Sequence, residues 1–258
     1  MFDHPAFSSS LFFPRRDLRP PPPGAEDRFI RVDGAELHLR AHPAPEARCT
    51  LLLFHGNGEV VSDWDSAAPL FAEAGAGLRV VDYRGYGQST GSPRLRDVLD
   101  DVPAVIRAAA DERPLIVMGR SLGSLCAHRA LHQPEVRGVI LESGLGDLRS
   151  FVHRRGFTPP DVFSPQDLTA FDPITQLRAC HQPLLVLHGE RDTLIQPHEA
   201  QLAFAAAATE DKELVMVKGR GHNDIGLASV YWKAIARYLA RVTPHRGSPP
   251  DARIPRGD

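Results

Sequence analysis

Cysteine is scarce in this chain: Cys49, Cys126 and Cys180 are the three in 258 residues, widely spaced and odd in number. That excludes a disulfide framework and a cysteine-rich zinc site, and makes a reducing compartment the simplest home. Long apolar runs are missing too. The longest are strand-sized stretches such as 50–54, far short of the roughly 18 to 20 residues that cross a bilayer, so no transmembrane segment is expected. Nor does one charge dominate: 30 basic against 32 acidic residues leave a formal charge of −2, which offers a nucleic-acid backbone little to bind. A secretory leader is not expected, because Pro14, Arg15 and Arg16 interrupt the apolar cluster Leu11-Phe12-Phe13 where its apolar core would have to run. The expected location is the cytoplasm.

What is present is ordinary globular material, 42% hydrophobic and 24% charged, enough for a core and at odds with general disorder. A chain of this length suits one α/β domain with trimmings. Residues 1–24, ending in the run Pro20 to Pro23, read as an N-terminal extension or tail; 25–243 read as the domain; 244–258, rich in Pro, Gly, Arg and Asp, read as a disordered C-terminal tail. Phe29 to Val32 and Leu37 to Arg40 flank an Asp33-Gly34 turn and predict a hairpin of two edge strands. Buried strands are expected at Thr50 to Phe54, Leu78 to Val81, Leu115 to Met118, Val136 to Leu141, Leu184 to Leu187 and Leu214 to Val217. Between them, helical spacing recurs at Leu95 to Ile106, where Pro103 should kink or shorten the helix, and at 124–132, 197–208 and 225–242. Alternation of this kind is the pattern of a doubly wound, mostly parallel sheet.

Gly-x-Ser-x-Gly occurs at Gly87 to Gly91 and again at Gly119 to Gly123. A nucleophile elbow needs an apolar strand before the serine and a helix directly after it, so that the turn lifts the hydroxyl above the sheet. Ser121 has both. Ser89 is followed by Gly91-Ser92-Pro93, which is loop chemistry. A serine hydroxyl needs a base, and the base a carboxylate to orient it. His222, in the loop after Leu214 to Val217, and Asp192, in the loop after Leu184 to Leu187, follow the serine in the order acid then histidine. Glu190 and Asp224 are weaker rivals for the acid; Asp224 is more easily read as a carboxylate at the start of the next helix. For the oxyanion, the backbone N–H of Leu122 is one expected donor, and that of Asn57, in His55-Gly56-Asn57-Gly58, the other. His55 and His188 are expected to orient loops.

Four segments together, Phe54-His55-Gly56-Asn57, Asp82 to Ser89, Gly119 to Gly123 and Gly221 to Ile225, resemble the α/β-hydrolase superfamily. More narrowly, they resemble the branch that holds the α/β-hydrolase-domain depalmitoylases and related bacterial hydrolases. The resemblance implies an α/β-hydrolase fold and a serine hydrolase acting on an ester or thioester of a small-molecule or acyl-group substrate, without cofactor or metal. Amide cleavage, as in serine aminopeptidases, and a non-catalytic binding module are the alternatives. Depalmitoylases of the branch carry an N-terminal cysteine cluster for lipid anchoring; no cysteine precedes Cys49 here, so such anchoring is not expected.

The insertion at about 144–180 has the length of a short cap. Phe151, Phe157, Phe163 and Phe171 could line an acyl pocket, and Arg149, His153, Arg154 and Arg155 could meet an anion, but cap core and solvated face are the simpler readings. His128 and His132 share a helix face; their place near its C-terminus, which favours partial protonation, explains them better than a metal does.

Overall fold

The computed structural model describes residues 5–154, 156–157, 164, 166 and 170–244. Eight strands form one sheet: β1 (Glu26–Val32), β2 (Ala35–His42), β3 (Cys49–Phe54), β4 (Ala76–Val81), β5 (Leu115–Arg120), β6 (Val136–Glu142), β7 (Leu184–Gly189) and β8 (Lys212–Val217). Their order is β1-β2-β4-β3-β5-β6-β7-β8. The β1–β2 and β2–β4 pairings are antiparallel and the rest parallel. The hairpin therefore supplies one edge, not two: β2 is bonded on both sides, because its buried residues Leu37 to Ala41 continue the core next to β4.

The helices are α1 (Pro5–Leu11), α2 (Ala68–Ala74), α3 (Leu95–Ala109), α4 (Ser124–Ala130), α5 (Leu148–Arg154), α6 (Pro173–Arg178), α7 (Pro197–Ala206) and α8 (Ser229–Val242). Because strand side chains alternate between faces, the all-apolar runs of β3 and β5 feed two cores. Leu52, Phe54 and Val117 pack with α3, α4 and α7 on one face, while Leu51, Leu53, Ile116 and Met118 pack with α2 and α8 on the other.

Three local expectations are corrected. Pro103 does not shorten α3, which runs on to Ala109. The buried stripe Val98, Leu99, Val102, Val105 and Ile106 outweighs the ~3 kcal/mol cost of an interior proline. The segment 225–242 is not one helix: a 3-10 turn, Ile225–Leu227, precedes an extended Ala228, and α8 starts at Ser229. The residues ahead of β1 are no free tail, since Phe7, Leu11 and Phe12 are buried in the core with α3 and α4. Residues 245–258 lie outside the described residues.

His128 is also corrected. It is buried, its Nε2–H donates to the Leu145 carbonyl at 3.2 Å, and burial pushes its pKa down to about 4. It is therefore neutral at pH 7, not partly charged. Its folded-state value lies below the ordinary 6.5, so the unfolded chain binds more protons between the two. The resulting stability is fully present above about pH 6.5 and is lost as pH falls toward 4, about 3 kcal/mol in all. Denaturant unfolding of His128→Gln beside the parent chain should show the variant losing less stability by about that amount between pH 7 and 4; parallel curves would refute it.

Candidate active site

The strand-to-helix turn after β5 is built around its glycines. A Cβ on Gly123 would lie 2.1 Å from the Phe54 carbonyl oxygen, and one on Gly119 would lie 2.6 Å from the Ala127 Cβ. Only glycine lets the turn pass this close to β3 and α4. Ser121, between them, has φ 51, the left-handed conformation that side chains other than glycine's seldom adopt. The Ser124 hydroxyl donates to the Ser121 carbonyl at 2.7 Å and accepts the Leu145 N–H at 2.9 Å, holding the turn to the start of the cap insertion.

The loops after β7 and β8 bring the expected partners to this serine. His222 Nε2 is 2.9 Å from the Ser121 Oγ, and His222 Nδ1 is 2.7 Å from Asp192 Oδ2. The other carboxylate oxygen of Asp192 accepts the N–H groups of Leu194 at 2.9 Å and Ile195 at 2.8 Å. Burial raises the Asp192 pKa, but the His188 and His222 rings and the Ile195 N–H outweigh it and hold the carboxyl well below the ordinary carboxylate range. Asp192 is thus ionised and points a fixed oxygen at Nδ1, which leaves Nε2 as the acceptor facing the serine.

The rival acids point elsewhere. Asp224 Oδ1 accepts the Gly221 N–H at 2.6 Å and Glu190 Oε2 accepts the Gly219 N–H at 3.3 Å. The other Gly-x-Ser-x-Gly serine is structural: Ser89 is fully buried, donates to the Asp82 carbonyl at 2.9 Å and accepts the His38 N–H at 2.8 Å. His188 Nε2–H donates to the Ile195 carbonyl at 2.9 Å, and His55 Nδ1–H to the Gly56 carbonyl at 2.8 Å. Both histidines fasten the loops they open.

Ser121 and His222 line a cavity of about 510 Å³, with Leu122 and Asn57 also in its wall. Among the described residues neither Leu122 nor Asn57 donates its N–H to another group. Two features of this wall were not expected from sequence. Arg120, beside Ser121, is buried between Glu59 at 2.8 Å and Glu142 at 3.2 Å, and donates to Asn223 at 3.0 Å. Glu59 in turn accepts the Gly56 N–H at 2.9 Å, so the 55–59 loop and the elbow are tied together. Glu142 is pushed above the ordinary carboxylate value by burial, against the pull of Arg120 and the Tyr231 hydroxyl. No periodicity marks these three, and both acids are more than 20 residues from Ser121, Asp192 and His222 in the sequence. Leu11 and Phe13 also line the cavity.

In the cap insertion, Phe151 and Arg154 line the cavity, with Arg154 paired to buried Glu199 at 2.6 Å. Phe157 packs edge-on against Phe7 at 5.4 Å, and Phe171 packs on the core. Arg149 and His153 are exposed; Arg155 and Phe163 lie outside the described residues. His132 turns to Gln176, away from His128. Among the described residues no group of three or more His, Cys, Asp or Glu could hold a metal ion, and no helix is long and apolar enough to cross a membrane.

Comparison with known proteins agrees with the fold. The serine aminopeptidase S33 family matches residues 45–158. Protein bem46 of Schizosaccharomyces pombe is 27% identical over 76% of this chain and 69% of its own length. α/β-Hydrolase domain-containing protein 17C of Mus musculus is 28% identical over 78% of this chain, which spans 63% of that relative. The crystal structure of the Pyrococcus furiosus esterase Pf2001 superposes with a TM-score of 0.72 at 20% identity, covering 89% of this chain and 99% of that one. The eight-stranded sheet, the turn at Ser121 and these likenesses give the chain the α/β-hydrolase fold, with bem46 and the domain-containing 17 proteins among the proteins it is similar to.

Proposed function

We propose that the protein is a serine hydrolase that cleaves a carboxylic ester or thioester through an acyl-enzyme intermediate. The observation that carries this reading is the continuous line from Ser121 Oγ through His222 to Asp192, at 2.9 and 2.7 Å, opening on a cavity. The Ser121 oxygen attacks the acyl carbonyl while His222 Nε2 takes its proton, and Asp192 stabilises the imidazolium that forms. The N–H groups of Leu122 and Asn57 receive the oxyanion, where preorganised donors act most strongly. Collapse expels the alcohol or thiol, protonated by His222. Water, deprotonated by the same ring, then releases the acid. Nucleophile, base and donors all belong to the chain, so the chemistry asks for no cofactor or metal.

The family match to serine aminopeptidases raises amide cleavage as a second reading. An aminopeptidase needs a free carboxylate for the substrate ammonium, whereas Glu59, the one carboxylate among the described residues lining the cavity, is already engaged by Arg120 and the Gly56 N–H. That favours esters over peptides. A binding module is disfavoured because Ser121 reaches an open cavity. A fluorophosphonate reacts only with a serine activated by a neighbouring base, so intact mass and peptide mapping should find one adduct, on Ser121. An adduct on Ser89, or none on folded protein, would sink the assignment.

A further inference from the structure

We propose that Phe13, on the segment ahead of the sheet and backed by the buried Leu11, forms a specificity-determining wall for the substrate's acyl chain, latched in place by the Asn57 carboxamide. This rests on the serine-hydrolase reading above.

The latch is made of specific bonds. Asn57 Nδ2 donates to the Leu11 carbonyl at 2.7 Å, and Asn57 Oδ1 accepts the Phe13 N–H at 2.9 Å and the Tyr86 hydroxyl at 2.7 Å. The same residue whose N–H is assigned to the oxyanion under the proposed function spends its side chain on this segment. Further along, Arg15 Nε donates to the Gly58 carbonyl at 3.2 Å, the Arg15 carbonyl accepts the Gly87 N–H at 2.8 Å, and Arg16 reaches the Ser89 carbonyl at 2.6 Å. Phe7 and Phe12, buried in the core, anchor the segment from the other side.

Between those anchors the chain sets Phe13 in the cavity wall. Phe13 is 56% exposed and marks the mouth, and Leu194, also 56% exposed, lines the cavity as well, whereas Leu11 has no exposed surface and backs Phe13 from the core. The Leu11 carbonyl and the Phe13 N–H are occupied by Asn57. What remains is hydrocarbon, and large apolar groups left exposed beside a reactive centre gain most when a ligand chain covers them. The chemistry recognised is an aliphatic acyl chain of several carbons, long enough to reach Phe13, and an acetyl group would leave that wall unused.

The test compares kcat/KM on p-nitrophenyl octanoate and p-nitrophenyl acetate, read as a ratio. Phe13→Ala should lower the octanoate-to-acetate ratio by about fivefold to tenfold, in the range expected for lost contacts in an apolar pocket, and Phe13→Glu should lower it at least as far. Leu18→Ala, 74% exposed on the same segment and outside the cavity lining, should leave the ratio within about twofold, with melting curves checking that all variants fold. A ratio that Phe13→Ala and Phe13→Glu both leave within twofold overturns the wall. So does a loss seen only on octyl acetate, which would put the alcohol chain there. Turnover that survives in Ser121→Ala overturns the nucleophile instead, and absence of turnover across the series in folded protein overturns both.

Discussion

Ser121→Ala is expected to lower ester turnover by on the order of 10⁴-fold or more, with folding stability changed by less than about 1 kcal/mol. Among the described residues the hydroxyl makes one polar contact, to His222 Nε2, and that ring atom can meet water in the cavity once the hydroxyl is gone. Little stability depends on it. Ser89→Ala should behave in the opposite way. Its hydroxyl both donates and accepts inside a closed interior, so its loss strands the His38 N–H and costs about 1–3 kcal/mol, while turnover per folded molecule stays near that of the parent. Measuring kcat and the melting temperature on both variants separates the two motifs. A Ser89→Ala variant that folds and has lost turnover would reverse the assignment.

Asp192→Asn is expected to lower kcat at pH 7 by about 10⁴-fold, the cost of holding the base in the wrong tautomer. The direction in which the amide points follows from the site. Oδ1 receives two backbone N–H groups, from Leu194 and Ile195, and an NH₂ there would face two donors. The asparagine oxygen therefore stays with them, and its NH₂ turns to His222 Nδ1. Nδ1 becomes the acceptor, the ring proton moves to Nε2, and Nε2 can no longer take the Ser121 proton. Steady-state kinetics together with imidazole ¹⁵N shifts would check both halves. A variant with near-parental kcat would show that Asp192 does not set the tautomer.

The sheet and the elbow were legible because both depend on local pattern. Apolar runs such as Thr50 to Phe54 and Leu115 to Met118 stand between helical-period segments, and Gly119 to Gly123 joins a strand directly to a helix. Ser121, Asp192 and His222 were legible as neighbours because open α/β sheets gather the loops at the carboxyl ends of their strands. The Leu11 to Phe13 segment was not. A short apolar cluster flanked by Pro14, Arg15, Arg16 and a proline run has the composition of a tail, and what holds it is a carboxamide 44 residues further on. Arg120 was invisible for the same reason: Glu59 and Glu142, its partners, carry no periodic mark. His128 misled because a position near a helix C-terminus favours charge only at the surface, and this ring faces inward.

The Asn57 latch also bears on how such a protein can diverge. It grips the carbonyl of Leu11 and the N–H of Phe13, atoms every residue but proline possesses. The exposed side chain at position 13 can therefore be exchanged without loosening the grip, whereas Leu11 is fixed by the core. Position 13 lies outside residues 45–158, the span of the family match that includes Asn57 and Ser121, so mutation there can reshape the mouth of the cavity while Ser121 and its loop stay as they are.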